Sequence, residues 1–203
     1  MARVSFFIDG FNLYHAIASD HIFRRFRWID LKKLCQQFVR PQDTLGDVFY
    51  FTALANWNPD KVERHKLLIR AQEYNGVKVI FGEFRRTTKT CRLCGKTFPT
   101  FEEKETDVNI AIQLFEQAYK ETYDTAIIIS GDSDQLPALR AVRKNFPAKQ
   151  FGIAIPPGRG AELLKKEADF HRKIKTIHLE HCRLPDAILL PDGHSLECPP
   201  KWM

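Results

Sequence analysis

Long apolar segments are missing from this sequence of 203 residues. No window approaches the roughly 18 consecutive apolar residues of a membrane span, so we expect no membrane partner. The apolar run near the amino terminus is too short for a signal peptide, and Asp9 interrupts it. The cysteines number five, an odd count that favours free thiols or a bound metal over a disulfide framework. These absences predict a cytoplasmic protein.

Motifs that bind nucleotides are also missing. The sequence has no G-x-x-x-x-G-K-[ST] loop, which disfavours a P-loop nucleotidase, and Gly158-Arg159-Gly160 is too short to be a dinucleotide fingerprint. Asp9-Gly10-Phe11 does not match the Asp-x-Asp pair of haloacid-dehalogenase-like phosphatases. The early glutamate of a topoisomerase–primase module is absent too. Several common phosphate-handling folds are therefore disfavoured.

Positive charge is in moderate excess, since 31 Lys and Arg against 25 Asp and Glu give a net charge of +6. This balance favours an anionic partner, and nucleic acid leads that list, although many basic proteins bind none. With 44% hydrophobic residues, the chain can bury a core as one domain with a small appendage.

Short apolar runs alternate with helical patterns along the chain. The apolar runs predict five strands, at residues 4–8, 47–53, 77–81, 126–129 and 151–155. Helical patterns lie near residues 30–39, 60–75, 107–122, 134–145 and 160–169. This alternation predicts an α/β fold in which helices cover both faces of a parallel five-stranded sheet. Ligands of such folds bind beyond the carboxyl ends of the strands, where the strand order reverses.

The sequence divides into a main domain and a short tail. We place the main domain at 1–175, with a cysteine-containing insertion at 85–101. The tail at 176–203 is expected to pack on the domain as an edge, in a hairpin that turns at Asp192-Gly193.

Acidic residues follow the first and fourth predicted strands. Asp9 comes after the first, and Asp132 and Asp134 come after the fourth. Asp107 lies beside the apolar stripe of the third predicted helix, which aims it at the same edge of the sheet, and Asn12 reaches in from the first loop. Oxygen donors without His or Cys suit Mg²⁺ or Mn²⁺, which can acidify a water and offset charge on a phosphodiester.

Each aspartate taken singly also fits an ordinary structural role. Asp132 suits a helix N-cap, Asp107 and Asp134 suit the first turn of a helix, and Asp9 suits a strand-ending turn. The convergence of all four acids on one edge of one sheet favours the metal site.

Arginines follow the third and fifth predicted strands. Arg159, between two glycines, is the strongest candidate for a phosphate contact, because a flexible loop with free amides can close on an anion. Arg85 and Arg86 begin a segment in which cations and aromatic residues interleave, as in sites for single-stranded RNA. A solvated basic face is the alternative interpretation of such charge runs.

Cys91 and Cys94 have the spacing of one knuckle of a zinc ribbon, followed by a glycine. Two thiolates supply half of a tetrahedral Zn²⁺ site. The other half is open: it could come from His or Cys residues elsewhere in the chain, or from the same pair of a second subunit in a homodimer. The candidates within the chain are His65, His178, His181, Cys182, His194 and Cys198. An unmetallated loop with free thiols is the alternative.

Five segments carry a resemblance to a known family: F-F-I-D-G-F-N-L-Y at 6–14, R-H-K-L-L-I-R-A at 64–71, E-E-K-E-T-D-V-N-I-A at 102–111, I-I-I-S-G-D-S-D-Q-L-P-A at 127–138 and I-P-P-G-R-G-A-E-L at 155–163. The chain resembles NYN-domain proteins of the LabA-like branch of the PIN-like ribonuclease superfamily. The resemblance implies a PIN-like, Rossmann-like, three-layer α/β/α fold with strand order 3-2-1-4-5. It also implies metal-dependent RNA cleavage, with metal-site roles at Asp9, Asn12, Asp107, Asp132 and Asp134.

We therefore expect a Mg²⁺- or Mn²⁺-dependent ribonuclease, endonucleolytic, whose partner is single-stranded or structured RNA. Asn12 and the Ser130 hydroxyl would orient ligands or solvent. The choice of RNA over DNA comes from the resemblance alone. Gln135 lies where the family commonly has an apolar residue. We expect this difference to matter little, because Gln135 follows the ligands. The alternatives are a nucleic-acid-binding or adaptor module without catalysis, and a phosphoesterase acting on DNA or nucleotides.

Overall fold

The computed structural model describes the whole chain, residues 1–203. Its strands are β1 (Arg3–Asp9), β2 (Thr44–Thr52), β3 (Lys78–Phe81), β4 (Glu83–Thr90), β5 (Thr97–Lys104), β6 (Thr125–Ile129), β7 (Gln150–Ile155), β8 (Phe170–Lys173), β9 (Ala187–Leu189) and β10 (Ser195–Glu197). Its α-helices are α1 (Gly10–Ser19), α2 (Leu31–Gln36), α3 (Pro59–Tyr74), α4 (Thr106–Tyr119), α5 (Leu136–Asn145), α6 (Glu162–Glu167) and α7 (Thr176–Glu180). Short 3-10 helices lie at Arg24–Phe26, Ser133–Gln135 and Pro200–Trp202.

The central sheet has six parallel strands in the order β3-β2-β1-β6-β7-β8. The order expected for the five predicted strands is therefore confirmed, and β8 adds a sixth strand beyond β7. The prediction of five strands missed β8 because every residue of its F-H-R-K sequence is exposed, without the apolar alternation that marks a strand.

Helices cover both faces of this sheet. In β1, Phe6 and Ile8 point into one core, which α1 and α2 close, whereas Phe7 points into the other core, which α4, α5 and α6 close. Successive side chains of a strand point to opposite faces, so a strand buried on both faces reads as a continuous apolar run. The three-layer α/β/α arrangement is confirmed. No helix of the chain is both long and apolar enough to cross a bilayer.

Helix α1 was not predicted, because Asp9-Gly10 resembles a strand-ending turn. The expectation that Asn12 lies in a loop is wrong, since it lies in the first turn of α1. The Asp9 side chain caps this helix by accepting a hydrogen bond from the Asn12 N–H at 2.9 Å. A Cβ at position 10 would collide with the Phe51 carbonyl oxygen, so glycine lets the helix start directly against β2.

The insertion after β3 folds as an antiparallel hairpin of β4 and β5. The pairing is regular from Glu83 opposite Lys104 to Thr90 opposite Thr97. The loop between the strands carries the two cysteines at 91 and 94. The hairpin leads directly into α4, so its position determines where the start of that helix lies.

The carboxyl-terminal tail forms a second hairpin, β9 and β10, with Gly193 at a positive φ of 84° in its turn. It is a separate two-stranded sheet, so the expectation that it forms an edge is wrong. Its apolar side packs with the tail residue Trp202 on Trp28 and on Leu68 of α3. The Trp28 indole N–H donates a 2.7 Å hydrogen bond to the Pro185 carbonyl, which ties the tail to the domain.

Replacement of Trp202 tests whether this tail contributes to stability. Trp202 is only 6% exposed, so Trp202→Ala should lower the free energy of unfolding by about 3 kcal/mol, through lost burial and a residual cavity. Leu189→Ala in the same tail is the matched control, because Leu189 is 71% exposed and its loss should change little. Urea unfolding of the two variants measures the difference, and equal stabilities would contradict the integral role of the tail.

Candidate functional site

The site is built where β1 and β6 lie side by side and the strand order reverses. Ile8 is paired with Ile129, so the residues that follow emerge next to each other at the carboxyl ends of the strands. The Ser130 hydroxyl donates a 2.9 Å hydrogen bond to Asp9 Oδ2. The Ser130 hydroxyl oxygen also accepts a hydrogen bond from the Asp132 N–H at 3.0 Å. The buried Ser130 hydroxyl therefore joins the ends of β1 and β6 and positions both Asp9 and Asp132.

Asn12 strengthens the same junction from the first turn of α1. Its side-chain oxygen, Oδ1, accepts the N–H of Gly131 at 3.1 Å. The amide thus fixes the short exit from β6, which carries Ser130 and Asp132. In this arrangement Asn12 orients the loop that holds an acid.

Asp132 and Asp134 differ in their surroundings. Asp132 is partly buried and caps the 3-10 helix that follows, where its Oδ1 accepts the Asp134 N–H at 3.1 Å. This leaves its Oδ2 for a ligand. Asp134 is exposed and does not line the cleft that the other acids share. The N-cap role considered for Asp132 is real, and it coexists with a position at the site.

Asp107 lies in the first turn of α4 and is held by a side chain from the other side of the cleft. Gln135 Nε2 donates a 2.7 Å hydrogen bond to Asp107 Oδ1. Gln135 is 1% exposed, and its Oε1 has no hydrogen-bond partner. Although Gln135 follows the acids in sequence, the helical turn folds its side chain back onto Asp107, a contact that was not anticipated from the sequence.

Asp9, Asn12, Asp107, Asp132 and Arg159 line one cleft with a volume of about 190 Å³. The acids that the sequence places far apart in the chain are therefore brought together, with the exception of Asp134. An arginine stands at the rim of the same cleft.

Glu103 and His15 also line this cleft, and neither was selected from the sequence. Glu103 Oε1 accepts the Thr106 N–H at 2.9 Å and so caps the start of α4. Its place in the acidic run at 102–107 was a signal, but the face it occupies depends on the register of the hairpin. His15 follows Phe11 by one helical turn, and burial, with the nearby Arg159 guanidinium, lowers its pKa.

Burial and the charges of neighbouring carboxylates raise the pKa values of two acids in the cleft. Burial raises the pKa of Asp9, against the lowering effect of its hydrogen bonds from Asn12 and Ser130, and the charge of Asp132 adds to the rise. Burial also raises the pKa of Asp107 to about 6, with further contributions from Asp9 and Asp132. Such shifts mark a site where a cation would relieve repulsion.

The donor chemistry fits a hard divalent cation. The aspartates, Glu103 and Asn12 offer carboxylate and amide oxygens to the cleft, and His15 is the one imidazole that lines it. No three His, Cys, Asp or Glu side chains lie close enough together to hold a metal ion directly. Mg²⁺ commonly takes one or two carboxylates and completes its shell with waters and substrate phosphates, so a partial protein shell suits it.

Arg159 reaches the cleft because its loop packs tightly against the exit of β6. A Cβ at Gly131 would lie 2.5 Å from the Gly160 carbonyl oxygen, so only a glycine permits this approach. Arg159 is exposed and forms no ion pair with the protein. Its charge is therefore available to an anion bound among the acids.

Arg85 and Arg86 point to opposite faces of β4. Arg85 forms ion pairs with Glu83 and, at 3.1 Å, with Glu105. Arg86 is exposed, has no acidic partner and lies directly opposite Phe101. The two neighbouring arginines thus differ in how available their charge is.

Cys91 and Cys94 lie at the tip of the hairpin, far from other thiols. Backbone N–H groups of Cys94 and Leu93 lower the pKa of the Cys91 thiol. Cys182 and Cys198 are buried in two separate cores. No remaining His or Cys residue forms a group of three with this pair. The prediction that ligands of the same chain complete a zinc site is therefore wrong.

Comparisons with known proteins identify the fold and the family of the chain. A curated relative, 6-hydroxy-3-succinoylpyridine 3-monooxygenase of Pseudomonas putida, is 24% identical over 92% of this chain and 71% of its own length. A crystal structure of a protein of unknown function from Vibrio parahaemolyticus has the same fold, with a TM-score of 0.58, 18% identity and coverage of 86% of this chain and 94% of that chain. Residues 3–175 match the model of the NYN domain. The chain therefore belongs to the NYN domain family, whose members are in general nucleases of the PIN-like fold.

Proposed function

We propose that the protein is a metal-dependent ribonuclease that hydrolyses phosphodiester bonds of RNA endonucleolytically. The observation that carries this proposal is the convergence of Asp9, Asp107 and Asp132 in one cleft with Arg159 at its rim. Clustered oxygen donors suit a divalent cation, and a cation beside an arginine suits a phosphate. The choice of RNA as substrate follows from membership of the NYN family.

The roles of the residues follow from their contacts. One or two of the Asp9, Asp107 and Asp132 carboxylates would bind Mg²⁺ or Mn²⁺ directly, and the others would hold its waters. The ion would supply a Lewis acid and lower the pKa of a bound water. Ser130 and Asn12 keep Asp9 and the 130–132 loop in register through their hydrogen bonds.

The arginines near the cleft and Asp134 have supporting roles in this proposal. Arg159 would contact the phosphate at the cleft, and Arg86 is favoured over the ion-paired Arg85 further along the hairpin. Asp134 lies outside the cleft and acts through its charge, which helps to raise the pKa of Asp107.

Replacement of Asp132 tests the catalytic assignment. Asp132→Asn keeps the oxygen that caps the 3-10 helix but removes the charge, so Mn²⁺-dependent cleavage of RNA should fall at least roughly 100-fold. Asp192→Asn, in the turn of the tail hairpin, is the matched control and should cleave like the wild type. Cleavage of labelled RNA and of the same sequence in DNA is followed on gels. Full activity of Asp132→Asn, or activity in excess chelator, would reject the proposal.

Asp107 should cost stability when no cation is bound. Its pKa is raised from 3.8 to about 6, so the folded state binds the proton more tightly than the unfolded state. The associated stability is present below about pH 4 and is lost as pH rises through about 6. A rise of about two pKa units corresponds to about 3 kcal/mol of unfolding free energy. Because Asp107 is partly exposed and solvent screens its charge, we expect about 1 kcal/mol.

Asp107→Asn should therefore be more stable than the wild type at about pH 8 in chelator, and equal to it below about pH 4. Mn²⁺ should raise the melting temperature of the wild type more than that of the variant. Thermal unfolding with and without Mn²⁺ measures both effects. A variant that is less stable at high pH, or equal stabilisation of both proteins by Mn²⁺, contradicts a cation site at Asp107.

A structural zinc is proposed at the hairpin tip, with the missing half supplied by a second copy of the chain. Four thiolates complete a tetrahedral site, so two chains would share one zinc ion through Cys91 and Cys94. Zinc analysis with light scattering should give a homodimer with one zinc per two chains, lost in Cys94→Ser and retained in the control Thr90→Ser. A protein without zinc, or a monomer that binds one zinc, would refute this arrangement.

The name of the Pseudomonas putida relative favours a second candidate function, monooxygenation of a small aromatic compound. The cleft contains Phe11 and His15, whose rings offer an aromatic wall. Incubation of the protein with 6-hydroxy-3-succinoylpyridine, oxygen and a reductant, followed by mass spectrometry, distinguishes the candidates. An added oxygen atom in the product, without RNA cleavage, would favour the monooxygenase.

A further inference from the structure

The hairpin insertion has two chemically different faces. Opposite residues of an antiparallel pair lie on the same face, and so do residues two apart along a strand. The register therefore places Phe84, Arg86, Phe101 and Glu103 on one face, which we call the aromatic face. The ion pairs that the hairpin forms lie on the other face: Arg85 with Glu83, and Lys89 and Lys104 with Glu102.

An unbroken row of aromatic rings runs from the aromatic face towards the acidic cleft. Trp57 stacks on Phe101 with ring centroids 3.8 Å apart and an interplanar angle of 6°. The edge of Phe84 meets Trp57 at 4.7 Å and Phe11 at 5.4 Å. Phe11 in turn stacks with His15 at 6.4 Å, and both of these residues line the cleft. The row thus joins the hairpin to the carboxylates.

Trp57 is unusually exposed for a tryptophan in this protein. Its exposed fraction is 42%, whereas Trp28 and Trp202 are 0% and 6% exposed. Arg86 lies on the aromatic face directly opposite Phe101, the ring on which Trp57 stacks, and it forms no ion pair. An exposed aromatic ring next to an unpaired cation is a combination that binds stacked bases and their phosphates.

The geometry favours a single strand over a duplex and over a protein partner. Bases of a single strand can stack on aromatic side chains, whereas bases in a duplex already stack on each other. The free positive charge of Arg86 complements phosphate, and the row ends at the cleft with Arg159. A polynucleotide passing along the row would place its backbone at the acids.

We propose that the aromatic face and Trp57 form a stacking platform for a single-stranded segment of nucleic acid that extends from the phosphodiester in the acidic cleft. The orientation towards the cleft rests on the proposed function. The insertion would then be a substrate-binding arm in addition to any role of its cysteines.

The test compares two adjacent arginines on opposite faces. Binding of a fluorescently labelled single-stranded RNA of about 12 nucleotides is measured by anisotropy in chelator, so that no cleavage occurs. Arg86→Gln should weaken binding about fivefold or more, and Arg85→Gln, with the same change in net charge, should weaken it less than about twofold. Equal effects of the two substitutions, or no detectable binding by the wild type, would overturn the proposal.

Intrinsic fluorescence supplies a second measurement at the platform itself. Stacking of a base on Trp57 should quench tryptophan emission when the single strand is added, because the other two tryptophans are buried. Trp57→Phe, which keeps an aromatic ring against Phe101, should abolish the quenching. Quenching that persists in Trp57→Phe, or that is equal with a duplex of the same sequence, counts against the platform.

These outcomes separate the platform from the catalytic proposal. Binding that depends on Arg86, without any cleavage by the wild type in Mn²⁺, would support the platform and reject the ribonuclease. Cleavage with identical affinities for Arg85→Gln and Arg86→Gln would support the ribonuclease and reject the platform.

Discussion

The hydrogen bond between the Ser130 hydroxyl and the Asp9 carboxylate is the contact on which the rest of the site depends. It joins the ends of β1 and β6 at the point where the strand order reverses. Because the same hydroxyl accepts the Asp132 N–H, it sets the distance between two acids from distant parts of the chain. The sheet therefore contributes more than a scaffold, since its strand order brings these side chains together.

The opposite side of the cleft depends on the hairpin insertion. Its second strand supplies Glu103 and leads into α4. In the first turn of that helix, Asp107 accepts the hydrogen bond from Gln135. Contacts of Trp57 with Phe84 and Phe101 fix the hairpin on the domain, so these rings position the third acid as well as forming a surface. The hairpin that would bind the single-stranded nucleic acid is therefore the same element that positions Asp107.

Periodicity and strand-end chemistry were enough to predict five strands of the central sheet and three of the acids that line the cleft, Asp9, Asp107 and Asp132. Features that depend on tertiary contacts could not be predicted in this way. Helix α1 was missed because Asp9-Gly10 is equally typical of a turn, and β8 was missed because an exposed edge strand has no apolar alternation. Glu103 could be assigned to the cleft only after the hairpin register was known, and Gln135 only after the 3-10 turn folded it onto Asp107.

The positions of the acids at helix starts have an electrostatic consequence. Asp9 caps α1, Glu103 caps the start of α4 at Thr106, and Asp132 caps the 3-10 helix, so an N–H at each of three helix starts donates to a carboxylate of the cleft. The positive ends of helix dipoles favour negative charge, each by about 0.3–1 kcal/mol. The backbone therefore offsets part of the repulsion among these carboxylates by itself. A cluster compensated in this way can keep its shape while cations enter and leave.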